Sequence, residues 1–307
     1  MKLAITSPSF SKNPVLVAEA RKLVPDCKVN EKGILFSGQE LIDYLRGYDV
    51  AIIGLEEINK DVVDGLPELK FISKYGVGLN NIDLDYCKSK GLRIGWTGGV
   101  NRLSVAEMVI GNVISLFRNL YVTSNLLKKG EWLKNGGRQL SGTTVGIIGV
   151  GHIGKELIRL LKPFECKILV NDIIDQTSYY KEVGAAAVSK EEIFSQADWV
   201  TIHTPLDAST RNLVSEKMLA LMQPHALLIN AARGGIVDES ALKNVLKNQK
   251  IGGAFLDVYE IEPPTDKELL EIPNLICTPH IGGNSKEAVM AMGMSAIGHL
   301  KGYVEGR

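Results

Sequence analysis

The chain has 307 residues, 45% of them hydrophobic and 23% charged, with 35 basic residues against 35 acidic ones. That length exceeds what one hydrophobic core usually serves, so two domains are expected. The balanced charge excludes a general attraction to nucleic acid or anionic membrane, and no apolar run is long enough for a signal peptide or a bilayer span.

In chain order, strand-like apolar runs at Leu3–Ser7, Val50–Ile53, Phe71–Lys74 and Leu92–Gly95 alternate with helix-like segments, the pattern of a parallel sheet covered by helices. Thr97-Gly98-Gly99-Val100 is a glycine-rich crossing. Beyond it, Ser104-Val105-Ala106-Glu107 reads as a capping box, and the apolar face from Met108 to Leu120 predicts one long helix. Ser104 and Glu107 are thereby assigned to capping alone. A second set of strands follows at Val145–Ile148, Ile168–Asp172, Trp199–His203, Ala226–Asn230, Gly253–Leu256 and Leu275–Thr278. Two doubly wound units are implied.

The second set opens on Thr144-Val145-Gly146-Ile147-Ile148-Gly149-Val150-Gly151-His152-Ile153-Gly154, an apolar run ending in G-x-G-x-x-G. Gly149 suits a tight turn, Gly151 lets backbone approach a pyrophosphate, and Gly154 lets helix and strand pack closely. The helix opening near His152 and Ile153 turns unpaired backbone N–H groups toward phosphates. Lys155–Leu161 carries apolar residues at helical spacing, Pro163 ends it, and Asp172 closes the next buried strand. Asp172 would accept hydrogen bonds from ribose hydroxyls and repel a 2′-phosphate, which favours NAD over NADP.

Cys27, Cys87, Cys166 and Cys277 lie far apart with no C-x-x-C pair, so neither a disulfide framework nor a metal site is indicated. A cytoplasmic protein is expected. The glycine fingerprint begins near the middle of the chain, so the upstream domain must supply something other than the cofactor site. The final helix is expected to return to that domain. This gives residues 1–97 with 284–307 as a substrate domain, 98–283 as a dinucleotide domain, and a cleft between them spanned by two hinge crossings.

Three later motifs stand at strand carboxyl ends, where open α/β sheets place ligands. In Leu228-Ile229-Asn230-Ala231-Ala232-Arg233-Gly234-Gly235, a buried strand delivers an arginine into a Gly-Gly turn, and Asp238 beyond it reads as a helix N-cap. In Leu256-Asp257-Val258-Tyr259-Glu260-Ile261-Glu262-Pro263-Pro264, two prolines stiffen the backbone that presents Glu262, with Glu260 a competing acid. In Thr278-Pro279-His280-Ile281-Gly282-Gly283, one histidine sits between a proline and a glycine pair. Such a trio beside a nicotinamide suggests hydride transfer to or from a 2-oxo or 2-hydroxy acid. Arg233 would hold the substrate carboxylate bidentately. His280 would donate and retrieve the proton of the C2 oxygen, with Glu262 orienting its ring and favouring the imidazolium.

With these residues in view, the chain resembles the D-isomer-specific 2-hydroxyacid dehydrogenases over essentially its full length. The matching pieces are Tyr75-Gly76-Val77-Gly78-Leu79-Asn80-Asn81-Ile82-Asp83, Ser104–Glu107, the glycine turn, His203-Thr204-Pro205-Leu206 and the three motifs above. The resemblance implies an α/β fold with a Rossmann NAD domain and a flavodoxin-like substrate domain, and catalytic Arg233, Glu262 and His280. It adds Thr204, Pro205, Ala231, Ala232, Asp257 and Gly282 as cofactor contacts, with Asp257 near the nicotinamide carboxamide. It assigns the N–H groups of Val77 and Gly78 to the substrate carboxylate, and it implies a homodimer built through the NAD domain.

Within the family the phosphoglycerate dehydrogenases of serine biosynthesis look most similar, in a short form with no appended regulatory module. Lys74 stands where those enzymes carry arginine, and Asn80 where they carry aspartate. Lys74 and Arg102 are the cations available for a substrate phosphate. The alternatives are reductases of hydroxypyruvate, glyoxylate, D-lactate or phosphonopyruvate, a phosphite- or formate-type dehydrogenase, and, outside enzymes, an NAD-sensing corepressor-like binding protein.

Overall fold

The computed structural model describes residues 1–306. It is an α/β structure in which Met1–Asn101 and the chain from Lys286 onward form one unit, and Arg102–Ser285 the other. The crossings thus fall at 101/102 and 285/286 rather than at 97/98 and 283/284, because each is the turn that opens a long helix, Arg102–Phe117 and Lys286–Val304.

In the N-terminal unit, β1 (Leu3–Ile5), β2 (Cys27–Val29), β3 (Val50–Ile53), β4 (Phe71–Lys74) and β5 (Arg93–Gly95) form a parallel sheet in the order β2-β1-β3-β4-β5, the flavodoxin-like arrangement. Side chains alternate across it. Leu3, Ile5, Val50, Ile52 and Phe71 enter one apolar core, while Ala4, Ala51, Ile53 and Ile72 enter the other, so helices cover both faces. The helix Lys286–Val304 joins the first core through Met292, Ala296 and Leu300. Its Ala296 carbonyl accepts the buried Ser73 hydroxyl at 2.6 Å, and its Tyr303 stacks on Phe71 at 4.5 Å. The pattern of apolar runs did not reveal β2, because three half-buried residues at a sheet edge carry no continuous apolar signal.

In the central unit, β6 (Thr144–Ile148), β7 (Lys167–Asn171), β8 (Ala186–Ala187), β9 (Trp199–Ile202), β10 (Leu227–Asn230), β11 (Gly253–Leu256) and β12 (Leu275–Cys277) form a second parallel sheet, ordered β12-β11-β10-β9-β6-β7-β8. Counted from β6 this is the Rossmann order, reversing direction between β6 and β9, where such sheets bind their ligands. Ile147, Val170, Ile229 and Phe255 face one core, and Ile148, Leu169, Leu228 and Leu256 the other. The exposed two-residue β8 was also missed.

Two expectations fail around the helix Arg102–Phe117. It begins before Ser104, so Ser104 is no cap; its hydroxyl instead donates to the Gly282 carbonyl at 2.6 Å. Nor does the helix run on through Leu120. Asn119 adopts φ 52°, a left-handed conformation that asparagine tolerates better than most residues, and a new helix starts at Leu120. No single helix among the described residues is long and apolar enough to cross a membrane.

Candidate active site

The glycine turn after β6 is built as a close approach. Gly149 has φ +92°, and a Cβ there would lie 2.7 Å from the His203 carbonyl group at the end of β9. A Cβ on Gly154 would collide with the Gly149 carbonyl, so the helix His152–Leu161 leaves the strand at touching distance. Gly151, the N-cap, differs: no atom lies within 4 Å of where its Cβ would be. The first turn at His152 and Ile153 therefore faces open space with its backbone donors. Asp172, just past β7, accepts the Val150 N–H at 2.6 Å through one oxygen and the Ile174 N–H at 2.8 Å through the other. A carboxylate has acceptor positions left for ribose hydroxyls.

Beside Gly149, the His203 ring donates or accepts through Nε2 with Thr201 Oγ1 at 3.0 Å, and burial pulls its pKa down to about 3, which keeps it neutral. Among the described residues, His203 Nδ1 and Thr204 Oγ1 are buried without a hydrogen-bond partner. Orphaned buried polar atoms of this kind call for a ligand or water. With the open glycine cradle and the acid beyond β7, they fit a dinucleotide. Pro205 continues this edge, and Ala231 and Ala232 are buried at the end of β10.

Arg233 is delivered by β10. Buried Asn230 closes the strand, its Oδ1 accepting the Ala232 N–H at 3.1 Å and its Nδ2 donating to the Arg233 carbonyl at 3.0 Å. One guanidinium nitrogen of Arg233 donates to the Ala232 carbonyl at 2.7 Å. Burial pulls the guanidinium below its ordinary pKa, and the charge of Glu262 opposes that. Gly234 must be glycine because a Cβ would run into the Tyr259 carbonyl, which brings the arginine turn flush against the segment after β11.

That segment carries Glu262 and meets β12 at His280. Glu262 Oε1 accepts the Tyr259 N–H at 3.1 Å, leaving Oε2 at 2.8 Å from His280 Nδ1. The ring N–H donates to the carboxylate, so Nε2 remains for a substrate oxygen. Glu260, the competing acid, has its carboxylate 3.8 Å from Arg211 instead. His280 itself has φ 55°, a left-handed geometry that is costly for a non-glycine residue and must be held by its surroundings. Asp257 does the holding: its carbonyl accepts the His280 N–H at 2.8 Å, and its buried carboxylate accepts Thr278 Oγ1 at 2.5 Å and the Ile281 and Gly282 N–H groups at 2.8 Å each. A cavity of about 430 Å³, lined among others by Met108, Ile281, Gly282 and Asn284, opens beside this loop.

The structure thus pairs Glu262 with His280, sets the Arg233 turn against their segment through Gly234 and Tyr259, and groups Gly149, Gly151, Gly154, Asp172 and Thr204 around the glycine turn. Asp257 is engaged as a brace. Motif reading missed Asn230 and Tyr259 as supports of these segments; the one available signal was a polar Asn230 closing an otherwise apolar strand. In the N-terminal unit, Lys74 is 4% exposed and its ammonium donates to the Gly54 carbonyl, which also receives Asn81 Nδ2 at 3.3 Å. The neighbouring turn is fixed by Trp96, whose indole N–H donates to the Val77 carbonyl at 3.0 Å, and Gly78 follows it half-buried. Arg102 pairs with Glu156 at 3.1 Å.

Residues 110–282, more than half of the chain, match the family profile described as D-isomer specific 2-hydroxyacid dehydrogenase, NAD binding domain. The whole chain is 33% identical, over 310 residues, to a D-3-phosphoglycerate dehydrogenase of Methanocaldococcus jannaschii, and spans 58% of that relative's length. It is also 33% identical to a hydroxypyruvate reductase of Thermotoga maritima over 264 residues, which cover 84% of this chain and 85% of the relative. Among solved structures, a D-lactate dehydrogenase from Aquifex aeolicus complexed with NAD and lactic acid matches with a TM-score of 0.86 at 26% identity, covering 100% of this chain and 96% of that one.

Proposed function

Because the chain belongs to the D-isomer specific 2-hydroxyacid dehydrogenase family, we propose that it interconverts a small D-2-hydroxy acid and its 2-oxo acid with NAD. The 2.8 Å contact between His280 Nδ1 and Glu262 Oε2, on a segment that Gly234 of the Arg233 turn abuts at Tyr259, carries the reading. Bound NAD supplies or accepts the hydride at C2. Arg233 holds the substrate carboxylate and polarises the C2 oxygen. His280 gives that oxygen a proton through Nε2 in reduction and takes it back in oxidation, while Glu262 fixes the ring and balances its positive charge. Val77 and Gly78 are assigned to the substrate's acid group.

The leading substrate is D-3-phosphoglycerate, as in the Methanocaldococcus relative. A second reading, reduction of hydroxypyruvate or glyoxylate, is favoured by the cations. Lys74 is buried on the Gly54 carbonyl and Arg102 is engaged by Glu156, so neither is presented as a free cation to a phosphate. Leu120, Leu127, Trp132 and Leu133 of the central unit are 50%, 56%, 78% and 52% exposed, apolar surface suited to a second copy in a homodimer. We assign the enzyme to the cytoplasm.

The test is to follow nicotinamide absorbance with 3-phosphohydroxypyruvate, hydroxypyruvate, glyoxylate and pyruvate, after NADH binding has been demonstrated. Turnover ranks the substrates. NADH binding without turnover of any of them removes the 2-oxo acid reading and leaves the phosphite- or formate-type dehydrogenase and the corepressor-like protein.

A further inference from the structure

Glu239 occupies a position that the reaction scheme leaves unused. Asp238 already caps the helix Glu239–Lys247 by accepting the Ala241 N–H at 2.9 Å, so the side chain of Glu239 is free of that duty. It reaches out of its own segment instead, and its Oε1 accepts the backbone N–H of Glu260 at 2.6 Å. Burial pushes this carboxyl up from its usual range, the Glu260 N–H bond pulls it back down in part, and the charges of Glu260, Asp266 and Glu262 add to the upward push. A half-buried acid among other acids does not serve stability well. What it does achieve is geometric.

Glu239 opens the helix to which the Arg233 connection leads, and Glu260 lies on the same turn as Glu262. The two segments already meet where Gly234 abuts Tyr259, and Tyr259 is itself anchored by its hydroxyl to the Leu256 and Thr278 carbonyls at 3.2 and 3.1 Å. The Glu239 hydrogen bond is the side-chain tie that holds the outer end of the Glu262 turn to the arginine segment.

We propose that Glu239 is a positioning residue of the reaction: through the Glu260 N–H it fixes the turn bearing Glu262 against the segment bearing Arg233, keeping the arginine and the Glu262–His280 pair in one frame. This rests on the dehydrogenase reading above. The requirement is for an acceptor oxygen at this place, and its charge is incidental.

The holoenzyme tests it through three variants. Glu239→Ala is expected to lower kcat for the best 2-oxo acid about tenfold while leaving the NADH dissociation constant within about twofold, the signature of lost alignment. Glu239→Gln, which keeps the acceptor and drops the charge, should restore kcat to within about threefold of the parent. Should the alanine variant fail to fold, Glu239→Asp, with its carboxylate drawn back by one methylene, is expected to bind NADH normally and to lose kcat about tenfold. Gln as damaging as Ala, or Ala or Asp at the parent rate, overturns the proposal. An unmodified enzyme that binds NADH but turns over no 2-oxo acid fails the dehydrogenase reading instead.

Discussion

The backbone N–H of His280 donates to the carbonyl of Asp257 at 2.8 Å, and the carboxylate of the same aspartate takes the next two N–H groups along the loop. One buried residue therefore braces the loop on both sides of the left-handed histidine, its carbonyl holding the His280 N–H and its carboxylate the residues that flank it. Asp257→Ala leaves the Thr278 hydroxyl and the Ile281 and Gly282 N–H groups without their acceptor, the last of them buried, which is expected to cost about 2–4 kcal/mol of stability and to lower kcat about a hundredfold. Thermal unfolding and steady-state rates on one preparation check both; a variant that is destabilised yet fully active would show that the loop holds its shape without the brace.

His280→Ala should reduce kcat about a thousandfold, within the usual range for losing a positioned acid, and leave NADH affinity nearly unchanged. Single-turnover hydride transfer, compared with NADH binding by fluorescence, separates the two effects. An unaltered rate would exclude His280 as the proton donor.

For Asp172→Ala, NAD is expected to bind about tenfold more weakly and the preference over NADP to shrink, because both the ribose acceptor and the repulsion of a 2′-phosphate are lost. Part of the loss will come from the glycine turn, whose Val150 N–H loses its 2.6 Å acceptor. Dissociation constants for NADH and NADPH measured side by side give the answer, and an unchanged ratio contradicts the assignment.

Asp198 gives a pH-dependent prediction. Burial pushes its carboxyl up, but the Thr144 N–H at 2.7 Å, His225 at 2.8 Å and Arg138 at 2.9 Å outweigh that and hold it below the usual carboxylate range. The folded pKa is thus lower than the unfolded one, so the interaction stabilises fully above the unfolded value of about 4 and is lost as pH falls through the folded value. Asp198→Asn should cost about 1–3 kcal/mol at neutral pH, with the gap to the parent closing below about pH 4. Urea denaturation at both pH values tests the sign.

Strands that run through a core were legible because both their faces are buried, so Val50–Ile53 or Gly253–Leu256 reads as an unbroken apolar run. Cys27–Val29 and Ala186–Ala187 were not, being short edge strands whose pairing depends on a neighbour remote in sequence. The same distinction governs the site. Gly149, Gly151 and Gly154 follow a local rule of turn and helix start. Ser104 did not, because its hydroxyl is claimed by Gly282 across the fold, a partner that no capping pattern encodes. The local motif left Glu260 beside Glu262, the acid that the resemblance implied, and the turn after β11 separates them by placing Glu262 at His280 and Glu260 toward Arg211. Lys74 was expected as a cation for a substrate phosphate, yet it lies buried on a carbonyl contributed by another strand's end.

Arg233, Glu262 and His280 leave the ends of β10, β11 and β12, which are consecutive hydrogen-bonded neighbours. Parallel neighbours are spaced by about 4.8 Å whatever their sequence, so the sheet acts as a ruler on which the three groups are marked. Insertions in the helices between those strands can lengthen the outer surface without moving the marks. The chemistry is thereby insulated from drift in most of the chain that separates its parts.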